Sequence, residues 1–96
     1  MNTYSIHIDI EWDTDKAESN LAKHGVSFDE AATALLDPMA LAQEDEDAQG
    51  EALWVLMGMS AQARLLVVVY TLRGSDESIR LISARKATRK ETKHYA

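Results

Sequence analysis

The 96-residue chain contains no cysteine, which excludes disulfide bonds and thiolate metal sites. It also lacks an apolar run approaching the roughly 20 residues that a helix needs to span a bilayer. The first 13 residues do not join a basic region to an apolar one, so we expect no secretory leader and a cytoplasmic location. No glycine-rich phosphate loop occurs, and no spacing of a nucleophile and a base indicates a hydrolase. We therefore expect a small cytosolic protein without a membrane segment or a bound cofactor.

The chain is long enough for one modest hydrophobic core, and 46% of its residues are hydrophobic, so residues 1–96 are predicted to form one folded domain. The net charge of −6 is unfavourable for long-range attraction of nucleic acid. The charge is unevenly distributed, however. Residues 37–51 carry six acids and no base, whereas residues 64–96 carry eight lysines and arginines against three acids. This asymmetry suggests two different surfaces, which could serve two different partners.

Two apolar runs near the C-terminus predict an antiparallel hairpin that organises the fold. Residues 65–72 are rich in β-branched and aromatic side chains, and residues 79–84 form a shorter run after a polar link that contains Gly74. Because residues 65–72 are apolar on both faces, they predict a central strand covered on both sides. Alternation over residues 4–12 predicts a further, half-buried strand at the N-terminus.

Two helices are predicted in the N-terminal half. Asp13 is a plausible N-cap for a helix over residues 16–24 that ends at Gly25, and Ser27 with Glu30 has the form of a capping box for the next helix. Residues 39–42 are expected to be a short strand, residues 43–51 a polar loop, and residues 53–59 a strand in which Gly58 marks a bulge or the strand end. A second capping box at Thr88 predicts a short basic C-terminal helix. The order indicates an α+β fold, with helices packed on one antiparallel meander sheet.

Arginines at the rim of the apolar hairpin are the first candidates for a functional role. Arg64, Arg80 and Arg85 carry guanidinium groups that suit phosphate binding, and they could stabilise charge on a phosphorus atom during RNA cleavage. Simple alternation places Arg80 and Arg85 on opposite faces of their strand, and they converge only if the strand is kinked. The alternative is a set of solvated strand-edge arginines that oppose aggregation, which the spacing alone favours.

Other candidates are weaker from the residues alone. His24 beside Lys23 could move a proton near neutral pH, although a cationic helix end that complements the helix dipole explains both residues. Trp12 could stack a base, although core or partner-interface packing is favoured over that role. The acidic segment around Asp45 lacks the spacing of a calcium loop, so a solvated loop or a docking surface for a basic partner is favoured over a metal site.

Two blocks of sequence resemble the signature of the BrnT toxins. The first is Glu11-Trp12-Asp13-x-x-Lys16 followed by Asn20-x-x-Lys23-His24-Gly25-Val26-Ser27-Phe28, and the second is Arg80-Leu81-Ile82-Ser83-Ala84-Arg85-Lys86-Ala87-Thr88. Asp37-Pro38, Gly50-Glu51, Gly58, residues 68–71, Glu91 and Tyr95 continue the match in order, so the resemblance covers nearly the whole chain.

This resemblance implies a RelE-like fold and a type II toxin that cleaves RNA and inhibits translation. It implies a metal-independent reaction in which the RNA 2′-hydroxyl attacks the adjacent phosphate, with no cofactor. By resemblance and chemistry, Arg64, Arg80, Lys23 and His24 are the predicted catalytic residues, and Arg85, Lys86 and Trp12 are predicted to contact RNA. The implied partner is a BrnA-like antitoxin in a two-plus-two assembly, which reaches operator DNA only through the antitoxin.

One position departs from the family pattern, which usually has an arginine two residues after Gly-Glu. Here Gly50-Glu51-Ala52-Leu53 places a leucine there. If that arginine contributes to the site, the chain is a weak or inactive nuclease whose role is to bind the antitoxin as a co-repressor. If the arginine is structural, Leu53 is a harmless repacking and the nuclease is intact.

Overall fold

The computed structural model describes residues 9–46, 50, 52–73 and 78–95, and these form a five-stranded sheet with three helices. In chain order the elements are β1 (Asp9–Glu11), α1 (Thr14–His24), α2 (Phe28–Ala34), β2 (Leu41–Glu46), β3 (Ala52–Met59), β4 (Leu65–Arg73), β5 (Ser78–Lys86) and α3 (Arg89–Thr92). The strand order across the sheet is β1-β5-β4-β3-β2. Neighbouring strands are antiparallel except β1, which runs parallel to β5. The predicted α+β meander is confirmed, and β4 is its central strand. Of the strand predicted over residues 4–12, positions 4–8 lie outside the described residues.

The ends of α1 follow local sequence signals. The carboxylate of Asp13 accepts a hydrogen bond from the backbone N–H of Asp15 at 2.8 Å, which satisfies a free donor of the first turn. Gly25 ends the helix with a φ of +69°, a left-handed conformation that glycine adopts without steric cost. Both caps are as predicted.

At the start of α2, one of the two hydrogen bonds of the predicted capping box forms and the other does not. The Ser27 hydroxyl accepts a hydrogen bond from the Glu30 N–H at 3.0 Å, as the capping motif predicts. The Glu30 carboxylate, however, is buried and bonded to Ser60 and Arg64, so it does not return to the cap. The reciprocal box does form at α3, where the Glu91 carboxylate accepts from the Thr88 N–H at 2.8 Å.

The hairpin of β4 and β5 contains one extra residue that the sequence analysis did not predict. The register runs from Val69 paired with Ser83 directly to Tyr70 paired with Leu81, which leaves Ile82 unpaired as a β-bulge. The bulge places both Leu81 and Ala84 in the core. Leu81 and Ala84 therefore share a face although they are three positions apart, whereas a regular strand would place them on opposite faces.

Two predictions about the other half of the sheet are wrong. Residues 43–46 are not a loop but the greater part of β2, which pairs with β3 along its whole length. Gly58 is not at a bulge, because the register of β3 with β4 is continuous through it. Instead, a Cβ at Gly58 would lie 2.6 Å from the carbonyl oxygen of Ala34, so the glycine allows α2 to approach the sheet closely.

The main core lies between α2 and one face of the sheet, which we call the helix face. Its members are Val26, Phe28, Ala31, Ala34, Leu56, Leu66, Val68, Tyr70, Leu81 and Ala84. The opposite face, which we call the open face, carries Val67 and Val69 of β4 and the register partners of these residues on β3 and β5. None of the helices in the described part of the chain has both the length and the apolar character to cross a membrane.

Candidate functional site

The structure places the arginines of the hairpin on different faces and at different ends of the sheet. Arg64 lies two positions before Leu66 and bonds to Glu30 of α2, so it is on the helix face. Arg80 pairs with Thr71, which is an odd number of positions from Leu66 and faces the open side. Because Thr71 is seven positions beyond Arg64, the two arginines are separated by about 23 Å along the strand. One phosphate group cannot contact both.

Arg64 belongs to a buried carboxylate network, which consists of Glu30, Ser60 and Arg64. The Glu30 side chain is only 2% exposed. Its two oxygens accept from the Arg64 guanidinium, in one bond at 2.8 Å, and from the Ser60 hydroxyl at 2.7 Å. Hydrogen bonding to Arg64 lowers the pKa of Glu30 below its usual range, against the opposing effect of burial. The carboxylate is therefore charged at neutral pH and fixes the orientation of Arg64.

The same guanidinium also holds the turn that carries His24. Arg64 donates from Nη2 to the carbonyl oxygen of Gly25 at 3.2 Å. This bond joins the start of β4 to the C-terminus of α1, immediately after Lys23 and His24. Arg64 therefore contacts the backbone directly after the Lys23–His24 pair, and a common role of these three residues stays a prediction.

The bulge at Ile82 brings Arg80 and Arg85 onto the same face. Arg80 pairs with Thr71 and Arg85 with Val67, four residues apart on β4, so both lie on the open face. Arg85 is engaged there by two hydrogen bonds to the Glu91 carboxylate, at 2.7 and 2.8 Å. These bonds lower the pKa of Glu91 to about 2 and anchor α3 on the open face.

The remaining predicted RNA contacts lie apart from Arg80. Lys86 pairs with Leu66, which places it on the helix face, where its charge helps to lower the pKa of Glu30. Trp12 makes an edge-to-face contact with Phe28, with ring centroids 6.0 Å apart, and packs against the core. The packing of Trp12 is the alternative that the sequence analysis left open. Contact of Lys86 or Trp12 with RNA stays a prediction.

α1 is attached to the edge of β5 by one buried amide. The Asn20 side chain donates to the carbonyl of Ala84 at 2.8 Å and accepts from its N–H at 3.1 Å, so it takes the place of a neighbouring strand. It also donates to the carbonyl of Val26 at 3.0 Å. The helix therefore lies along β5 and presents its polar side chains beside that strand.

Between α1 and β5 runs a shallow groove, which we call the basic seam. It consists of two adjoining depressions that share Lys16 and Ile82. The smaller, of about 310 Å³, is also lined by Ser19, Asn20, Lys23, His24 and Ser83. The larger, of about 760 Å³, is also lined by Asp13, Ala52, Leu53, Thr71, Leu72, Arg73 and Arg80. The seam thus connects Lys23 and His24 at one end to Arg80 at the other.

The structure places Lys16 and Leu53 in the seam, which the sequence analysis did not predict. Lys16 was noted only as part of a motif, but it lies seven residues before Lys23, so the two lysines share one side of α1. That spacing was visible in the sequence. Leu53, at the position of the missing family arginine, lines the same depression as Arg80 and Thr71, and only the sheet register reveals this.

The seam collects cations that suit a phosphate backbone. Lys16, Lys23 and Arg80 all donate hydrogen bonds without accepting any, and among the described residues Arg80 has a long ion-pair contact of 3.8 Å to Glu11. His24 adds an imidazole, which can donate or accept a hydrogen bond. Within the described residues, no group of three or more acidic or histidine side chains is arranged to hold a metal ion.

Comparison with known proteins points to one family. Residues 12–91 match the family model described as the ribonuclease toxin, BrnT, of a type II toxin–antitoxin system. The fold is similar to the 1.1 Å crystal structure of the ribonuclease toxin BrnT from Brucella abortus, with a TM-score of 0.66 and 25% identity. That match covers 85% of this chain and 99% of the Brucella chain. No curated protein sequence matches the chain.

Proposed function

Because this chain belongs to the BrnT family of ribonuclease toxins of type II toxin–antitoxin systems, we propose that it cleaves RNA without a metal ion and so inhibits translation. A BrnA-like antitoxin neutralises it in a two-plus-two assembly, and contact with operator DNA occurs only through that antitoxin. The reaction takes place in the cytoplasm. The observation that carries the nuclease proposal is the basic seam, which aligns Lys16, Lys23 and Arg80 with His24 at one end.

The proposed reaction is an intramolecular transfer within the RNA strand. The 2′-oxygen forms a bond to the adjacent phosphorus, and the bond from phosphorus to the 5′-oxygen of the next nucleotide breaks. The products are a 2′,3′-cyclic phosphate and a 5′-hydroxyl, with a proton removed from the attacking oxygen and another delivered to the leaving oxygen. Arg80 stabilises the charge that develops on the phosphate oxygens, and the lysines hold neighbouring phosphates. His24 is suited to one of the two proton transfers.

Arg64 enters the proposal in a supporting position. Its guanidinium is already bonded to Glu30 and to the Gly25 carbonyl. We therefore assign it the task of holding the turn that follows His24, while direct contact of Arg64 with RNA stays a prediction from the family resemblance. This division also explains how an acidic chain can bind RNA, because the cations of the seam are collected on one surface.

Substitution of Arg80 tests the nuclease. We expect purified protein to cleave RNA in the presence of chelator, and Arg80→Ala to lower the cleavage rate by about a hundredfold, because one donor to the transition state is lost. The matched control is Arg89→Ala, which removes an exposed arginine from α3 and should leave the rate unchanged. Full activity of Arg80→Ala would contradict the assignment of Arg80, and loss of cleavage with chelator would contradict the metal-free reaction.

Leu53 favours a second candidate, an antitoxin-binding co-repressor that is a weak or inactive nuclease. Its side chain lines the depression that contains Arg80, so an arginine at this position would add a second guanidinium to the same hollow. The test compares RNA cleavage by the unmodified chain with that by Leu53→Arg, with Leu36→Arg as a control at a position 78% exposed elsewhere.

The three outcomes of this comparison are distinct. Cleavage by the unmodified chain shows that the missing arginine is dispensable. Cleavage only after Leu53→Arg supports the co-repressor, since the site is then complete except for one guanidinium. If neither folded protein cleaves RNA or arrests growth when expressed without its partner, the nuclease proposal is wrong for this chain.

A further inference from the structure

β2 presents a long open edge to solvent. All six of its residues are exposed, and among the described residues no strand pairs with its outer side. The other edge of the sheet is different, because β1 covers the start of β5 and Asn20 occupies the backbone groups of Ala84 further along. An exposed edge with free N–H and C=O groups is a template for a further strand unless something covers it.

The two faces of this edge differ in chemistry. Leu41 and Gln43 pair with Met57 and Val55 and so lie on the open face. There they border a hollow of about 410 Å³ between the sheet and α3, whose other lining includes Val55, Met57, Val67 and His94. Glu44 and Glu46 lie on the helix face, opposite Trp54 and Ala52. Asp45 pairs with Leu53 and so lies on the open face, two positions beyond Gln43. A strand added beside β2 would therefore meet the apolar hollow on the open face near Leu41, and carboxylates on the helix face and at the far end of the open face.

We propose that β2 accepts an extended segment of a basic partner protein as a sixth strand. Alternate residues of the segment are apolar and cover the hollow under α3. The intervening residues are lysine or arginine and face Glu44 and Glu46. Main-chain hydrogen bonds supply binding, and this alternation supplies specificity. The inference rests on the part of the proposed function that gives the chain a protein partner, and it does not depend on cleavage of RNA.

Charge selects this occupant over the other candidates. A nucleic acid is disfavoured because β2 carries Glu44, Asp45 and Glu46 without a base. A second copy of the chain would bring its own three acids alongside these, and each copy already carries a net charge of −6. An extended segment with lysine at alternate positions is attracted by the carboxylates of β2, whereas a nucleic acid or a second copy of the chain would be repelled.

Labelled peptides of about eight residues, a typical strand length, test the proposal directly. The probe alternates valine and lysine. One control replaces every lysine by glutamate, and another keeps the lysines but replaces two valines by proline, which removes backbone donors without changing the charge. We expect saturable binding of the probe by fluorescence anisotropy, no binding of the glutamate peptide, and binding of the proline peptide at least about tenfold weaker.

Variants of the full chain locate the binding site. Glu44→Lys should weaken the probe about fivefold, because an attractive cross-strand pair becomes repulsive. Glu18→Lys makes the same charge change at an exposed position of α1 and should alter affinity by less than about twofold. Amide hydrogen exchange provides a second measurement, in which the probe should slow exchange at residues 41–46 and leave α1 unchanged.

Several results would overturn the proposal. Equal binding of the proline peptide, or an equal effect of Glu18→Lys, would show charge attraction without strand addition. Absence of probe binding would show that β2 does not accept a further strand. Dimerisation of the free chain through β2 would show that the strand beside β2 belongs to a second copy of the chain. None of these results bears on RNA cleavage, so failure here and failure of the proposed nuclease can be told apart.

Discussion

The buried carboxylate network and the basic seam both contain an arginine, but they use it in opposite ways. Arg64 faces a carboxylate that is 2% exposed and is bonded at three points to Glu30 and Gly25. Arg80 lines an open groove, and its ion-pair contact within the described part of the chain is a 3.8 Å one to the half-exposed Glu11. A buried carboxylate holds its arginine in place, because leaving the buried charge without a partner would be costly. In an exposed ion pair, by contrast, a ligand can replace the carboxylate at little cost. The position of the nearest acid therefore distinguishes a structural arginine from one available for binding.

The largest expected effect is the loss of stability in Arg64→Ala. Of the side-chain partners that Glu30 has in the described part of the chain, Ser60 alone would remain, so we expect the free energy of unfolding to fall by about 3 kcal/mol, measured by urea denaturation. Arg80→Ala should change the free energy of unfolding by less than about 1 kcal/mol. Adding Glu30→Gln to Arg64→Ala should recover part of the loss, because no carboxylate is then left buried. If Arg64→Ala and Arg80→Ala had the same free energy of unfolding, the distinction between a structural Arg64 and a weakly held Arg80 would be wrong.

A smaller effect is expected at Asn20, the residue that attaches α1 to the edge of β5 beside the seam. Asn20→Ala removes the partners of both backbone groups of Ala84 and leaves them buried, so we expect a loss of about 2 kcal/mol. The neighbouring control Ser19→Ala is exposed and should change the free energy of unfolding by less than about 0.5 kcal/mol. Faster amide exchange at Ala84 in Asn20→Ala would show that the edge of β5 has opened. Unchanged exchange would mean that α1 is held beside β5 by other contacts.

The smallest effect concerns a third arginine, Arg85, whose partner is more exposed than Glu30. Hydrogen bonding to Arg85 lowers the pKa of Glu91 from 4.5 to about 2. A carboxylate with a lowered pKa in the folded state stabilises the fold above its unfolded pKa, and this contribution is lost as the pH falls from about 4.5 toward 2. Because Glu91 is 34% exposed, the contribution should be under about 1 kcal/mol at neutral pH.

Glu91→Gln isolates this contribution from the other carboxylates. The difference in urea midpoint between the unmodified chain and Glu91→Gln should be largest near pH 7 and should shrink as the pH is lowered through the range from 4.5 to 2. A difference that is constant with pH would show that the Arg85–Glu91 pair adds no stability through its charge.

Elements with local signals were predictable from the sequence. The caps of α1 at Asp13 and Gly25, and the apolar hairpin of β4 and β5, follow rules that act within a few residues. The family resemblance added the expected ribonuclease activity and the catalytic and RNA-binding roles of residues that the sequence pattern had already singled out in part. The lysine spacing along α1 was also visible, since positions 16 and 23 must share a helix side.

Elements that depend on distant contacts were not predictable. Residues 43–46 of β2 are predicted as a loop, because an edge strand exposed on both faces has no alternation of apolar and polar residues. The local sequence predicts that the Glu30 carboxylate caps α2. In the structure it bonds instead to Arg64, which is 34 positions away in the chain. The bulge at Ile82 left no local signal, so alternation gave the wrong relation between Arg80 and Arg85.

That bulge makes the pairing of β5 as important as its composition. If Ile82 paired with Val69 instead of bulging, strict alternation would return, and every residue of β5 after Ile82 would exchange faces. Arg85 would then leave the face that carries Glu91, and Lys86 would take its place, although no residue of the chain had changed. A transfer of this site to another sheet would therefore have to copy the bulge between Arg80 and Arg85, because the same residues in a regular strand would place the two arginines on opposite faces.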